Sequence, residues 1–390
     1  MSDSPVLAFG PRGSWPSPSF PGRLPSRGKG QYYTTRPDGK GRCVVIESSI
    51  PAVLEDRARR QPDEVAYTFI DYEVDPAGFA ESLTWSQVRQ KARVVAEVLS
   101  VCGSVGDRAV ILAPQGLDYI VAFLGAMQAG FIAVPLSVPM FGTHDERVSA
   151  VLADCAPAAI LTTSTVINDI VSPVHGLPGP APAVIEVDAL DLDAPLAVGS
   201  IDMSPTKTTL LQYTSGSTRR PAGVMVTHRN IIVNLEQMMS DLFGENGKVP
   251  PRDTTVVSWL PFYHDLGLQY GIFFPVVAGL HAVITSPMAF LQKPARWMQL
   301  LASNSRSFSG APNFAFELAV DGRPMMTWRA STWGTCSASP AAPNGYTPPP
   351  SDVSSTGFPA LTSPTPRCGR GTAWPRRRCT WPHQPWGAPR

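Results

Sequence analysis

From Ser49 to Val320 apolar residues alternate between helical and strand spacing, and beyond those limits the alternation stops. This confines any packed core to the middle of the chain, because a segment orders only where repeated apolar faces offset the entropy of fixing its backbone. Ser49 caps a helix with Pro51 in its first turn and Ile50, Val53, Leu54 and Ala58 on one face. A strand over Glu64–Ile70 follows, then a helix opened by Thr84 with Val88, Ala92, Val95 and Leu99 inward. Ala109–Ala113 reads as a strand, Leu117–Gln128 as a helix and Phe131–Leu136 as a strand. Thr143 and Glu146 fit a capping box for a helix ending near Cys155, and strands are expected at Ala158–Thr162 and Ala183–Val187.

The pattern continues in the second half. Leu210–Tyr213 is a strand, Thr214–Gly223 a loop of small residues and Val224–Val226 a second short strand. Thr227 caps a helix carrying Ile231, Leu235, Met238 and Leu242. Strands at Thr255–Trp259, Ala282–Thr285 and Arg306–Ser309 alternate with helices beginning near Leu266, Pro294 and Pro312, the last carrying Phe314, Phe316 and Leu318. Such alternation predicts an α/β architecture of layered, largely parallel sheets with flanking helices.

Both ends are expected to be disordered. Residues 321–390 contain no Ile, one Leu (Leu361), one Val (Val353) and five Trp, with runs such as Thr347-Pro348-Pro349-Pro350 and Arg376-Arg377-Arg378. Charge divides at the same places, with +4 over 1–48, −9 over 49–320 and +6 over 321–390. In total 32 basic residues face 31 acidic ones, so no global field draws in nucleic acid, and no such partner is expected. The six cysteines form no CxxC pair, which suits reduced thiols and a cytoplasmic location. Tyr119–Phe141 is apolar enough to test as a membrane span, but Gln128, Gly130, Pro135 and Pro139 divide it. It reads as a buried helix followed by a buried strand, leaving no transmembrane segment.

Chemistry concentrates in Leu211-Gln212-Tyr213-Thr214-Ser215-Gly216-Ser217-Thr218-Arg219-Arg220-Pro221-Ala222-Gly223. Hydroxyls and glycines just after a strand can cradle phosphate oxygens, although spacing alone equally allows a polar turn. The absence of Gly-Lys-Ser/Thr excludes the P-loop of NTPases. The loop resembles the phosphate-binding signature of adenylate-forming enzymes, the acyl-CoA synthetase and luciferase superfamily. It is most similar to mycobacterial fatty-acyl-AMP ligases, with Arg219 where acyl-CoA synthetases usually carry Gly and Ala222 where they usually carry Lys. Ser258–Leu268, containing Trp259-Leu260-Pro261-Phe262-Tyr263-His264-Asp265, is similar to the second core motif. Ala113–Tyr119, Ala129–Leu136, Phe290–Trp297 and Ala311–Leu318 also look like that branch, so the likeness covers about 49–320.

The resemblance implies activation of a long-chain fatty acid with ATP, giving acyl-adenylate and pyrophosphate, with Mg²⁺ expected on the phosphates. The acyl group would then pass to a polyketide synthase or acyl carrier domain in lipid biosynthesis. Thr214, Ser215, Gly216, Ser217 and Thr218, with Gly223 closing the loop, would hold the phosphates. His264 would stand beside the carboxylate, or serve as a hydrogen-bonded loop histidine. Trp259, Phe262, Tyr263, Phe314 and Phe316 are candidate walls of an acyl tunnel, or plain core. His144, His228 and His281 read as structural, and no residue is assigned to a metal.

The domain reading that follows is a disordered extension over 1–48, a partial N-terminal adenylate-forming domain over 49–320 and a Pro/Arg/Trp-rich tail over 321–390. The tail reads as out-of-frame sequence. The family's adenine- and ribose-binding segments, its catalytic Lys and its C-terminal lid domain are not found after the Pro312 helix, and the 390-residue chain is expected to be inactive. The rival readings are a long-chain fatty-acid CoA ligase and a non-catalytic ATP or acyl binder.

Overall fold

The computed structural model describes residues 33–37, 43–47, 49–139, 146–175, 179–195, 207–214 and 221–321. An antiparallel hairpin of β1 (Tyr33–Pro37) and β2 (Cys43–Glu47) stands within the N-terminal stretch for which the sequence suggested no element. The β-branched run Val44-Val45-Ile46 supplies its strand propensity. Helix α1 (Ile50–Arg60) starts where expected, with the Ser49 hydroxyl accepting from Ala52 N–H, and its Ile50, Val53, Leu54 and Ala58 are buried. Strand β3 (Val65–Asp71) runs into an unanticipated partner, β4 (Phe79–Thr84), in an antiparallel hairpin. Only Leu83 of β4 is buried, so the strand shows no apolar alternation.

Helix α2 (Trp85–Cys102) opens with a full capping box between Thr84 and Gln87. Then come β5 (Arg108–Ile111), α3 (Leu117–Gln128) and β6 (Ile132–Pro135). All but one residue of α3, Asp118, are buried, which explains why its sequence is long in apolar residues without facing lipid. Gly125 brings α3 against α2: a Cβ there would come within 2.7 Å of Val95. Among the described residues no helix is long and apolar enough to cross a membrane.

Next are α4 (Glu146–Cys155), β7 (Ala159–Thr162), α5 (Ile167–His175) and β8 (Ala183–Glu186). The expected cap at Thr143, with His144, lies outside the described residues. Strands β9 (Leu210–Thr214) and β10 (Ala222–Val226) form a hairpin, so β10 begins two residues earlier than predicted. Helix α6 (His228–Leu242) is capped by Thr227 and Asn230. Its buried stripe is Ile231, Ile232, Leu235 and Met239, with Phe243 just beyond, rather than the predicted Met238 and Leu242. The face sits one residue over because Phe243 stacks into Phe274 and Phe308.

The chain continues through β11 (Thr255–Ser258), α7 (Asp265–Leu268), a π-helical turn (Gln269–Phe273), α8 (Phe274–Ala278) and β12 (His281–Thr285). Last are α9 (Pro287–Gln292), α10 (Ala295–Ser303), β13 (Ser307–Phe308) and α11 (Asn313–Asp321). On α11 the inward residues are Ala315 and Ala319, while Phe314 and Leu318 are exposed.

Two mixed sheets result. The first has the order β10-β9-β6-β5-β7-β8, parallel except for the β9–β10 hairpin. The second has the order β13-β11-β12-β3-β4, parallel except for β3–β4. The central strands Ala109-Val110-Ile111 and Ala159-Ile160-Leu161 are fully buried, as strands covered on both faces must be.

Candidate functional site

Among the described candidates Thr214 stands at the carboxyl end of β9, and Trp259, Phe262, Tyr263 and His264 follow the carboxyl end of β11, the side on which open α/β sheets bind ligands. Thr214 closes β9, is exposed and pairs with Ala222 at the start of β10. Ser215, Gly216, Ser217 and Thr218 lie outside the described residues. The hairpin that carries them is fixed at its neck. Tyr213 is buried and donates its hydroxyl to Asp154 Oδ2 at 2.5 Å. Burial, together with that carboxylate, raises the Tyr213 pKa well above the usual phenol range and keeps it a donor. Gly223 faces the Tyr213 ring, which a Cβ would approach to 3.0 Å.

The second motif leaves β11 and turns sharply into α7. Gly267, within α7, permits that tight approach: a Cβ on it would sit 1.9 Å from Pro261 O. His264 N–H donates to Pro261 O at 3.0 Å, and His264 occupies the N-cap position of α7. Its ring Nδ1 lies against Asp265 Oδ1, and both side chains are more than half exposed, at 59% and 71%. His264 is therefore open to a ligand. Tyr263 is also exposed, at 41%, and with Pro135, Leu136, Ser137, Arg147, Val148 and Tyr213 it lines a small cleft.

The five aromatic candidates separate into three settings. Trp259 is buried, stacked on Phe290 at 3.7 Å, and Phe316 packs on Trp297 at 5.1 Å in the same cluster. Phe262 is buried against Tyr119 at 5.2 Å, apart from that stack. Tyr263 and Phe314 are exposed, with Phe314 edge-on to Trp259. Two buried polar atoms in these clusters, Trp259 Nε1 and Tyr119 OH, have no hydrogen-bond partner among the described residues.

Sequence reasoning overlooked two glutamines. Gln115 and Gln212 lie inside quoted segments, yet neither has a chemistry-bearing side chain that would single it out. Gln115 Oε1 accepts from Phe262 N–H and its Nε2 donates to Thr285 O. Gln212 Nε2 donates to Tyr263 O. Among the described residues no group of three His, Cys, Asp or Glu could hold a metal ion.

A family model described as AMP-binding enzyme matches residues 54–343. The chain belongs to the AMP-binding enzymes. It is 58% identical over 277 residues to the long-chain-fatty-acid–AMP ligase FadD26 of Mycobacterium tuberculosis, an alignment covering 71% of this chain and 47% of that protein. Against FadD28 of Mycobacterium bovis the identity is 56%, covering 71% and 48%. The chain thus spans about half the length of the curated relatives it matches. A fatty acyl-adenylate ligase from L. pneumophila, solved with acyl adenylate and pyrophosphate, superposes with a TM-score of 0.59 at 30% identity, over 71% of this chain and 46% of that one. The N-terminal domain of FACL13 from Mycobacterium tuberculosis shares the fold, with a TM-score of 0.53 at 22% identity over 70% of this chain and 64% of that one. These likenesses bear out the adenylate-forming N-terminal fold and the fatty-acyl-AMP ligase lineage read from the motifs.

Proposed function

We propose that this chain carries the phosphate- and acyl-binding portion of a fatty-acyl-AMP ligase, which joins a long-chain fatty carboxylate to the α-phosphate of ATP and releases pyrophosphate. The observation that carries the reading is the direct bond from the phosphate-hairpin strand to the His264 segment, Gln212 Nε2 to Tyr263 O at 2.9 Å. On this reading it would join the two places where two anions meet. Thr214, with Ser215, Gly216, Ser217 and Thr218, would face the phosphates, and the exposed His264 would orient the carboxylate. Mg²⁺ would accompany ATP, held mainly by its phosphates. The acyl chain would lie along Tyr263 and Phe314, with Trp259, Phe262 and Phe316 behind them as supporting core. The downstream acceptor would be an acyl carrier or polyketide synthase, in the cytoplasm.

Titration of the 390-residue chain with ATP and with a non-hydrolysable acyl-adenylate tests the reading. Thermal protection is expected, worth about 2.7 kcal/mol at a hundredfold excess over Kd. Protection should be lost in Ser215→Ala/Ser217→Ala. Absence of protection at millimolar ligand would refute the reading.

A further inference from the structure

The backbone just ahead of His264 is held by side-chain amides that come from the other sheet. Gln115, in the turn between β5 and α3, donates from Nε2 to Thr285 O at 2.8 Å and accepts at Oε1 from Phe262 N–H at 3.1 Å. Gln212, on β9, donates from Nε2 to Tyr263 O at 2.9 Å. Strands β5 and β9 belong to the first sheet, whereas Phe262 and Tyr263 leave β11 of the second. The amide orientations follow from the partners. Exchanging N and O in either glutamine would set oxygen against a carbonyl oxygen.

Other contacts remove what freedom remains. The Phe262 ring packs on Tyr119, and Gly271 leaves room for it, since a Cβ there would come within 2.4 Å of the ring. Backbone N–H and C=O groups need partners, and in this short turn two of them are met by residues that also adjoin the phosphate hairpin or the end of β5.

We propose that Gln115 and Gln212 are positioning residues of the adenylating site. Gln212 ties Tyr263 to β9, and Gln115 ties Phe262 to the β5–α3 turn and to Thr285, so that residues 262–264, and a carboxylate beside His264, are held at one separation from Thr214 at the end of β9. The proposal rests on the adenylation reading above. A packing role alone would cost stability; a positioning role costs ligand affinity and local order while stability changes little.

The full chain is compared with Gln115→Met, Gln212→Met and the double variant, which keep side-chain length but remove the amides. Hydrogen exchange is followed over residues 259–268, and calorimetry measures the Kd for dodecanoyl-sulfamoyl-adenosine. In Gln115→Met the Phe262 amide should exchange about five- to tenfold faster, the loss expected for one net hydrogen bond. Each single variant should raise Kd about tenfold, and the double variant by less than the product, because both amides act on one segment. Gln115→Glu sets a carboxylate oxygen against Thr285 O, the arrangement the amide avoids, and should protect Phe262 no better than Gln115→Met; Gln212→Met, which leaves both Gln115 bonds in place, carries the comparison where a Gln115 variant does not fold. Unchanged exchange and Kd in the single variants, or multiplicative effects in the double, would overturn the proposal. If exchange rises in the variants while the unsubstituted chain fails to bind the analogue, the clamp on this segment is supported and the adenylation reading is what falls.

Discussion

Gly267 sets the tightest steric condition at the site. With Pro261 O where its Cβ would stand, Gly267→Ala must displace backbone, and a cost of roughly 3 kcal/mol or more is expected. The urea midpoint measures it, with Gly116→Ala as control: a Cβ there meets nothing, and the change should stay within about 0.5 kcal/mol. His228 sets an electrostatic condition. It is buried at the start of α6, and its Nδ1 accepts from Ile50 N–H at 3.3 Å, so the ring must stay neutral with its proton on Nε2. Burial lowers its pKa from 6.5 to about 4. A folded-state pKa below the unfolded one means the contribution is complete above about pH 6.5 and is lost as pH falls toward 4, by about 3 kcal/mol at most. Urea unfolding at pH 7.5 and 4.5 should show that loss, and His228→Gln should remove the larger part of it. His281, half-buried on β12 with its pKa also lowered by desolvation, acts in the same direction.

Individual elements were readable where local chemistry decides them. The caps at Ser49, Thr84 and Thr227 are each seen, because a hydroxyl that satisfies a free amide is a local device. Thr227→Ala should therefore cost about 1 kcal/mol, measurable by chemical denaturation, and should fray the first turn of α6. Elements that burial does not pattern were missed. Strand β4 is exposed except at Leu83 and Thr84, and α9 is a six-residue helix too short for a period. Helix α5 did offer Ile167, Ile170 and Val174 at three and four, a signal that went unread. On α11 the sequence drew attention to Phe314, Phe316 and Leu318, yet the small Ala315 and Ala319 are the ones buried, because close approach to α10 selects small side chains over large ones. At the site, the hydroxyl loop and His264 declared themselves by residue type. Gln115 and Gln212 did not, since an amide that binds backbone is known only once its partner is placed.

At the scale of the molecule, which strand joins which sheet was not written locally. β3 and β12 pair at Thr68 and Val283, more than two hundred residues apart, and no periodicity names such a partner. The sheets also leave edges. β10 forms the outer strand of the first sheet and exposes Val224 at 51% and Met225 at 71%. An uncovered apolar edge templates pairing between chains, so Met225→Lys should lower light scattering of the concentrated protein without lowering its unfolding midpoint. Finally, the π-helical turn at Gln269–Phe273 inserts an angular offset into a run that would otherwise be one helix. Deleting one residue from it would rewind the run as a regular α-helix and swing its leading end by about 100° relative to α8. The extra residue thus works as a phase shifter. It lets Phe273 and Phe274 point into the interior while Tyr263, ten residues upstream of Phe273, still borders the cleft.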